Sequence, residues 1–350
     1  MNISSTSRCA SIFWLPAWIV LLLLLSPTLI GGAANAQAVL QSDDRIAIVG
    51  STFVERARLY GHLETNLQLA AGPDVTNLQF RNLGWSGDTV FGDARSYFGP
   101  PREGRNRLDK VISELRPTVL VLCYGTAPAI SDRQAWTGEP TAKLMTDSGL
   151  DATQKSFAQG YQSLVDRAIK AAGGSIRQLV FIAPPPFESL GPPLPSQSSN
   201  NRRLAAIRDT IRQLAEKNKG HFVDLFHTLG GDDFRDEPPE KPLTHNGIHH
   251  TEAGYQIIAN ELAKGLGLKR SASIELDSKP VDELRDLVIE KNRLYFNRWR
   301  PSNETYLFLF RAHEQGNNAA EIPQFDPLIA EQEKKIEVAR QRIFESQPNQ

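Results

Sequence analysis

Short, continuously apolar segments alternate with amphipathic segments along most of the chain, and this alternation restricts its fold more than any other feature. The clearest apolar segment is TVLVLCY at residues 118–124, which is typical of a strand buried on both faces of a sheet. Further strands are predicted at residues 45–49, 78–83, 178–183 and 221–226. Helical periodicity is found over residues 54–69, 108–115, 157–172, 202–217 and 251–266. Strands that alternate with helices predict a parallel sheet between two helical layers, a three-layer α/β/α fold.

The same alternation predicts where a ligand would bind. In open parallel sheets, ligand sites lie at the carboxyl ends of the strands, so the loops that follow the predicted strands should share one edge. Two long segments, residues 131–153 and the proline-rich residues 184–201, interrupt the pattern at this edge. Such segments are either lids over a site or disordered insertions, and both interpretations stay open.

The first 36 residues are predicted to be a signal peptide. Arg8 supplies a positive region, residues 18–25 are apolar, and Ala34-Asn35-Ala36 has the small-x-small pattern of a cleavage site. An uncleaved membrane anchor is the alternative, but a spanning helix of about 20 residues would have to include two prolines. We therefore expect cleavage after Ala36 and an exported protein, periplasmic or secreted, with no membrane association afterwards.

The character of the chain changes after Lys269. A linker at residues 271–279 precedes a helical pattern over 281–298, an aromatic segment, and a charged helical pattern over 327–344. The expected organisation is a signal peptide at residues 1–36, an α/β domain at 37–269 and a helical C-terminal extension at 270–350. The extension is expected to pack on the main domain, although it could instead dock onto a protein partner.

Composition excludes several function classes. The chain has 39 Lys and Arg against 40 Asp and Glu, and this balance gives no reason to expect nucleic acid as a partner. Cys123 is the one cysteine left after signal cleavage, so neither an internal disulfide nor a cysteine-based zinc site is expected. His245, His249 and His250 suggest a metal, but no carboxylate or thiol completes a ligand set. No phosphate-binding loop is found, so no cofactor or metal is predicted.

Four short motifs at the predicted edge could carry chemistry. The first is Gly50-Ser51-Thr52, where a strand turns into a helix and a hydroxyl could act as a nucleophile or simply cap the helix. The others are a glycine-rich turn at residues 82–88, the segment 125–128, and Asn246-Gly247-Ile248-His249 before a helix. A histidine on such a loop is the usual general base for a hydroxyl nucleophile, and a solvated histidine is the alternative.

Together these motifs resemble the SGNH hydrolase superfamily, the GDSL-like lipases and esterases, over about residues 45–266. The resemblance implies that Thr52 takes the nucleophile position, with Ser51 directly before it. It implies Gly87 as the oxyanion glycine and His249 as the base. The family's oxyanion asparagine would fall on Ala127, and the aspartate that orients the base would fall on Asn246. Three of the five family roles therefore have altered residues.

These departures leave more than one function open. Replacing the orienting aspartate by asparagine costs about 10⁴ in kcat in a serine-protease triad, and losing one oxyanion donor costs about 10² to 10³. Ser51 could serve as nucleophile instead, another carboxylate such as Glu252 could orient His249, or backbone amides could suffice for the oxyanion. If neither the Ser51 nor the Thr52 hydroxyl came within about 3.5 Å of an imidazole nitrogen, hydrolysis would be disfavoured.

The first hypothesis is accordingly an exported ester hydrolase that acts on small-molecule or carbohydrate esters with a Ser or Thr hydroxyl and a His base. The alternatives are a catalytically degenerate protein that binds glycan or acyl ligands in the same cleft, and a structural module that docks through its C-terminal helices.

Overall fold

The computed structural model describes residues 39–130 and 147–347 of the chain. The predicted signal peptide at residues 1–36 and the greater part of the insert at 131–153 lie outside these residues. Within the described ranges, no helix is both long enough and apolar enough to cross a membrane.

The described residues form a five-stranded sheet in the order β2-β1-β3-β4-β5, and every neighbouring pair is parallel. The strands are β1 (Arg45–Gly50), β2 (Gln79–Gly84), β3 (Val119–Cys123), β4 (Gln178–Ala183) and β5 (His221–Asp224). Gly50 is in register with Gly84 on one side and with Cys123 on the other. Three strands therefore end level with one another, and the chain segments that follow them begin at one edge, as the sequence predicts.

Helices cover both faces of the sheet. They are α1 (Thr52–Tyr60), α2 (His62–Ala70), α3 (Pro101–Leu115), α4 (Thr126–Ile130), α5 (Asp147–Ala172), α6 (Ser198–Lys217), α7 (Leu225–Thr228), α8 (Glu252–Gly265), α9 (Lys279–Trp299), α10 (Glu304–Phe308), α11 (Ala312–Gln315) and α12 (Phe325–Glu345). Short 3-10 segments lie at Ala94–Ser96, Gly231–Asp233 and Gly316–Gln324. One apolar cluster joins the sheet to α3, α5 and α6, and a second joins the opposite face to α1, α2 and α8. The predicted three-layer α/β/α fold is thus confirmed.

Two predicted elements differ from the structure for identifiable reasons. The single helix expected over residues 54–69 is two helices, because Gly61 adopts a left-handed φ of 69° that ends α1 and begins α2. A Cβ at Gly61 would lie 3.0 Å from Arg285 Cγ, so the glycine also lets α9 approach closely. The strand expected over residues 221–226 stops at Asp224, since the carboxylate of Asp224 accepts a hydrogen bond from His227 N and caps α7.

The C-terminal extension packs on the outer side of α2 and β2. Its helices α9 and α12 form an apolar cluster with Leu69 of α2. Two fully buried cations strengthen this contact: Lys291 Nζ donates to Glu64 Oε2 at 2.7 Å and to Phe80 O at 2.9 Å, and Arg340 Nε donates to Gln68 O at 2.7 Å. The extension therefore buries both apolar surface and paired charge against the α/β layers.

The aromatic residues of segment 299–310 do not share one environment. Trp299 packs edge-to-face against Trp85, with ring centroids 5.6 Å apart. Phe310 is 70% exposed and contacts Phe98, which is 82% exposed. The first contact joins the extension to the edge of the sheet where the strands end.

Replacing Lys291 by Met should lower the free energy of unfolding by about 3 kcal/mol or more, because Glu64 then stays buried without its cation. Arg293→Met on the same helix is the matched control, since Arg293 pairs with Glu290 at the exposed surface and should cost less than about 1 kcal/mol. Urea-induced unfolding at neutral pH measures both changes. Equal losses in the two variants would contradict this account of the extension.

Candidate active site

Two glycines let helix α1 begin directly against the ends of β1 and β2. A Cβ on Gly84 would lie 2.1 Å from Glu55 N, and a Cβ on Gly50 would lie 2.4 Å from Val54 Cγ2. Any other residue at either position would push the first turn of α1 away from the sheet. The close approach places Ser51 and Thr52 at the edge where the strands end.

A buried charged group fixes the turn that follows β2. Arg95 is fully buried and donates from Nε to Asp88 Oδ2 at 2.6 Å and from Nη2 to Leu83 O at 2.7 Å. Tyr124, which follows β3, donates from its hydroxyl to the same carboxylate oxygen at 2.8 Å, and burial raises the pKa of Tyr124 far above its usual value. The turn at residues 85–88 is thereby tied to the ends of two strands. Sequence reasoning missed Arg95, because an arginine in a loop gives no sign of burial.

The glycine turn meets the hydroxyl of Thr52. Gly87 has a φ of 75°, a conformation that favours glycine, and its amide donates to Thr52 Oγ1 at 3.1 Å. Ser51 precedes α1 in the N-cap position, but its side chain makes no capping hydrogen bond. Thr52, and not Ser51, is therefore the hydroxyl that the structure brings to the predicted oxyanion glycine.

His249 lies on a loop that packs against the first turn of α1. The ring of the neighbouring His250 contacts Phe53, with centroids 5.5 Å apart, and Tyr255 of α8 donates from its hydroxyl to Phe53 O at 2.8 Å. Thr251 caps α8 by accepting from Gly254 N, as its sequence position suggests. Among the described residues, however, no hydrogen bond joins the His249 imidazole to either Ser51 or Thr52.

Asn246 determines which imidazole nitrogen of His249 carries the proton. Its Oδ1 accepts from Ile248 N at 3.2 Å and from His249 N at 2.9 Å, which fixes the orientation of the amide. Its Nδ2 consequently faces His249 Nδ1 at 3.3 Å. An amide nitrogen can only donate, so Nδ1 must accept and the proton of the neutral ring sits on Nε2. In that tautomer Nε2 cannot take a proton from a hydroxyl.

The surroundings of His249 also favour its neutral form. Partial burial lowers the pKa of His249, and electrostatic interactions with Arg56 and His245 lower it further. Arg56 lies one helical turn after Thr52, and the structure records no hydrogen bond or ion pair for it among the described residues. This shift favours the uncharged imidazole that a general base needs, although its proton is on the wrong nitrogen.

The proline-rich segment is hydrogen-bonded to the loop that carries His249. The carboxylate of Glu188 accepts from Leu243 N at 2.9 Å and from Thr244 Oγ1 at 2.6 Å, and Glu188 N donates to Gly247 O at 3.0 Å. A Cβ on Gly247 would lie 2.6 Å from Glu188 O, so the two segments are in close contact. Sequence reasoning left the role of this segment open, and it gave no reason to single out Glu188.

Two further sequence hypotheses can be placed in the structure. Glu252 lies 3.6 Å from both His62 Nε2 and Arg285 Nη1, and the described residues show no hydrogen bond between Glu252 and His249. Glu252 is therefore not the carboxylate that orients the base. Ala127 lies in α4 directly after β3, and its methyl group cannot donate a hydrogen bond to an oxyanion.

The three neighbouring histidines do not meet carboxylates or thiols in a common cluster. Within residues 39–130 and 147–347, no group of three or more His, Cys, Asp or Glu side chains has the geometry to hold a metal ion. His250 is buried against Phe53 and Tyr255, and burial lowers its pKa to about 4.

Asn246→Asp should raise the pKa of His249, because a carboxylate would accept from Nδ1–H and add a negative charge beside the protonated ring. An NMR titration of the imidazole resonances measures this change, and the ¹⁵N shifts should show the proton on Nε2 in the unaltered protein. Arg56→Met is the control for charge alone, since it should raise the pKa without moving the proton to Nδ1. An unchanged or lower pKa in Asn246→Asp would contradict the hydrogen-bond assignment.

Comparison with known proteins identifies a family. The model of the GDSL-like lipase/acylhydrolase family matches residues 46–257, which contain all the motifs of the predicted site. No curated protein matches the chain.

Several solved structures are similar to the chain. A gut microbial diltiazem-metabolizing enzyme is 12% identical with a TM-score of 0.59, over 87% of this chain and 95% of that one. A catalytic mutant of an acetylxylan esterase from Geobacillus stearothermophilus is 17% identical with a TM-score of 0.47, over 67% and 99% of the two chains. An α/β hydrolase from the metagenome of Lake Arreo, Spain, is 19% identical with a TM-score of 0.45, over 65% and 97%. The first likeness shows a common fold. Because the family model matches more than half of this chain, the chain belongs to the GDSL-like lipase/acylhydrolase family of esterase-type hydrolases.

Proposed function

We propose that the protein is a slow ester hydrolase that uses Thr52 as its nucleophile. One observation supports this more than any other: the Gly87 amide donates to Thr52 Oγ1 at 3.1 Å, so the hydroxyl and the oxyanion donor meet at the start of α1. The positive end of the helix dipole adds to the stabilisation of negative charge at this point. In this arrangement His249, on the adjoining loop, is the general base.

The reaction proceeds through an acyl-enzyme. Thr52 Oγ1 attacks the ester carbonyl carbon while its proton passes to His249 Nε2, and the Gly87 amide stabilises the negative oxygen of the tetrahedral intermediate. The bond to the alcohol oxygen then breaks, and the leaving alcohol takes the proton from His249. Water attacks the acyl-Thr52 ester in the same way, which releases the carboxylic acid and restores the Thr52 hydroxyl.

The rate should be low because three groups work against this sequence. Asn246 holds His249 with the proton on Nε2, so the base must change tautomer and lose a hydrogen bond before it can accept. Ala127 supplies no oxyanion donor, and the methyl group of Thr52 restricts its χ1. The loss of the orienting carboxylate alone corresponds to about 10⁴ in kcat in a related triad, and the combined losses are not additive.

A second candidate is a protein that binds acyl or glycan ligands in the same cleft without hydrolysing them. The bond between Asn246 and His249 Nδ1 favours this alternative, as does the lack of a hydrogen bond from His249 to Thr52 among the described residues. The two candidates share a site and differ only in turnover, so kinetics of the purified protein can separate them.

Steady-state hydrolysis of a short-chain acyl ester should be slow in the unaltered protein and at least about tenfold faster in Asn246→Asp, because aspartate places the proton on Nδ1. Thr52→Ala and His249→Ala should remove the enzyme-dependent rate. Ser51→Ala is the matched control and should retain most of it, since among the described residues the Gly87 amide donates to Thr52 and not to Ser51.

Equal rates for the unaltered protein, Asn246→Asp and His249→Ala would rule out hydrolysis and leave the binding function. A large loss of rate in Ser51→Ala with little change in Thr52→Ala would show that Ser51, and not Thr52, is the nucleophile.

A further inference from the structure

The C-terminal extension reaches the turn that carries Gly87. Helix α9 ends at Trp299, and the next residue, Arg300, places its guanidinium carbon 3.8 Å from the ring centroid of Trp85. Trp85 is buried, contacts both this guanidinium and the ring of Trp299, and is followed directly by Ser86 and Gly87. These contacts come from residues beyond 257, where the family match ends.

One carboxylate oxygen connects Arg300 to the backbone of the turn. Arg300 Nη1 donates to Glu55 Oε2 at 2.6 Å, and Ser86 N donates to the same oxygen at 2.7 Å. The Arg300 and Glu55 side chains are only 23% and 16% exposed, so solvent screens this pair less than an open surface pair. Glu55 belongs to α1, one turn after Thr52. Arg300 thus restrains a group that holds both the nucleophile helix and the glycine turn.

We propose that Arg300 is a positioning residue for the oxyanion turn, so that the helical extension completes an active site built in the α/β domain. The proposal rests on the proposed ester hydrolysis. Arg300 acts in two ways that reinforce each other. It orients Glu55 to accept the Ser86 amide, which fixes the plane of the adjoining peptide and the direction of the Gly87 N–H. It also neutralises a carboxylate that would otherwise oppose negative charge on the substrate oxygen.

Small displacements of this turn have kinetic consequences. Catalytic hydrogen bonds need to be held within about 0.5 Å and 10–20° of their productive geometry. Gly87 has no side chain to hold it in place, and both Ser86 and Gly87 are exposed. The hydrogen bond from Ser86 N to Glu55 and the packing of Trp85 are therefore the restraints on this side of the turn.

The test compares Arg300→Met with Arg298→Met. Arg298 lies two residues earlier and pairs with Asp326 at 2.8 Å, and the structure records no contact between Arg298 and the turn among the described residues. In Arg300→Met, amide hydrogen exchange at Ser86 and Gly87 should become at least about tenfold faster, while exchange in β3 stays unchanged. Arg298→Met should leave exchange in both regions as it is.

Kinetics provide the second readout. Arg300→Met should lower kcat at least about tenfold with KM nearly unchanged, up to the 10² to 10³ that loss of an oxyanion donor costs. Arg300→Lys keeps a cation for Glu55 and should recover most of kcat. If Arg300 only stabilised the fold, each of the three variants would lose activity in proportion to its loss of stability. The fall in kcat at nearly unchanged KM would then not be specific to Arg300→Met.

Unchanged exchange at Ser86 and Gly87 in Arg300→Met would overturn the proposal, and so would an equal effect of Arg298→Met. If the unaltered protein hydrolyses no ester, the proposed function fails, but the exchange measurement still decides whether Arg300 positions the turn.

Discussion

The buried pair of Arg95 and Asp88 is the interaction on which the candidate site depends. Burying a charge costs less when it is paired and hydrogen-bonded, and this pair is bonded to the ends of β2 and β3 through Leu83 O and the Tyr124 hydroxyl. The turn that begins at Trp85 therefore has little freedom where it leaves the sheet. With Gly50 and Gly84 allowing α1 to start at the same edge, Thr52 and Gly87 come together.

The residues that shape the site match the family pattern better than the residues that would react with a substrate. The strand ends, the glycine turn and the capped α8 are all in place, and Glu188 supports the histidine loop. Among the five family roles, the altered residues are the reacting groups at positions 52, 127 and 246. Asn246 keeps two of the hydrogen bonds that an aspartate would make, those from the backbone amides of Ile248 and His249. Asparagine at this position thus preserves the loop, but it donates to the imidazole where an aspartate would accept from it.

The fold was predictable because a strand buried on both faces of a sheet has a continuously apolar sequence. Segments such as 118–124 are continuously apolar, and their alternation with helical patterns determines the layers and the edge where strands end. The motifs around Thr52, Gly87 and His249 could be assigned to that edge for the same reason. The break at Gly61 was not predictable, since the apolar period continues through it and the left-handed turn serves contact with α9.

The residues that sequence reasoning missed act through contacts distant in the chain. Arg95 donates to the end of a strand, and Glu188 accepts from a loop about 55 residues later. Arg300 of the C-terminal extension contacts Glu55 and Trp85 of the α/β layers. Arginine and glutamate in polar segments are usually exposed, so composition and spacing give no sign of such roles. The tautomer of His249 likewise depends on an amide orientation that only the three-dimensional hydrogen bonds determine.

The central claim is that Thr52 is the nucleophile at this edge, and covalent labelling tests it most directly. A fluorophosphonate ester loses fluoride to an activated hydroxyl and leaves a stable phosphonyl ester on that oxygen. Peptide mass mapping of the labelled Asn246→Asp variant, in which the base is correctly oriented, should find the phosphonyl group on Thr52. Labelling of Ser51 instead, or no labelling at either residue, would contradict the account.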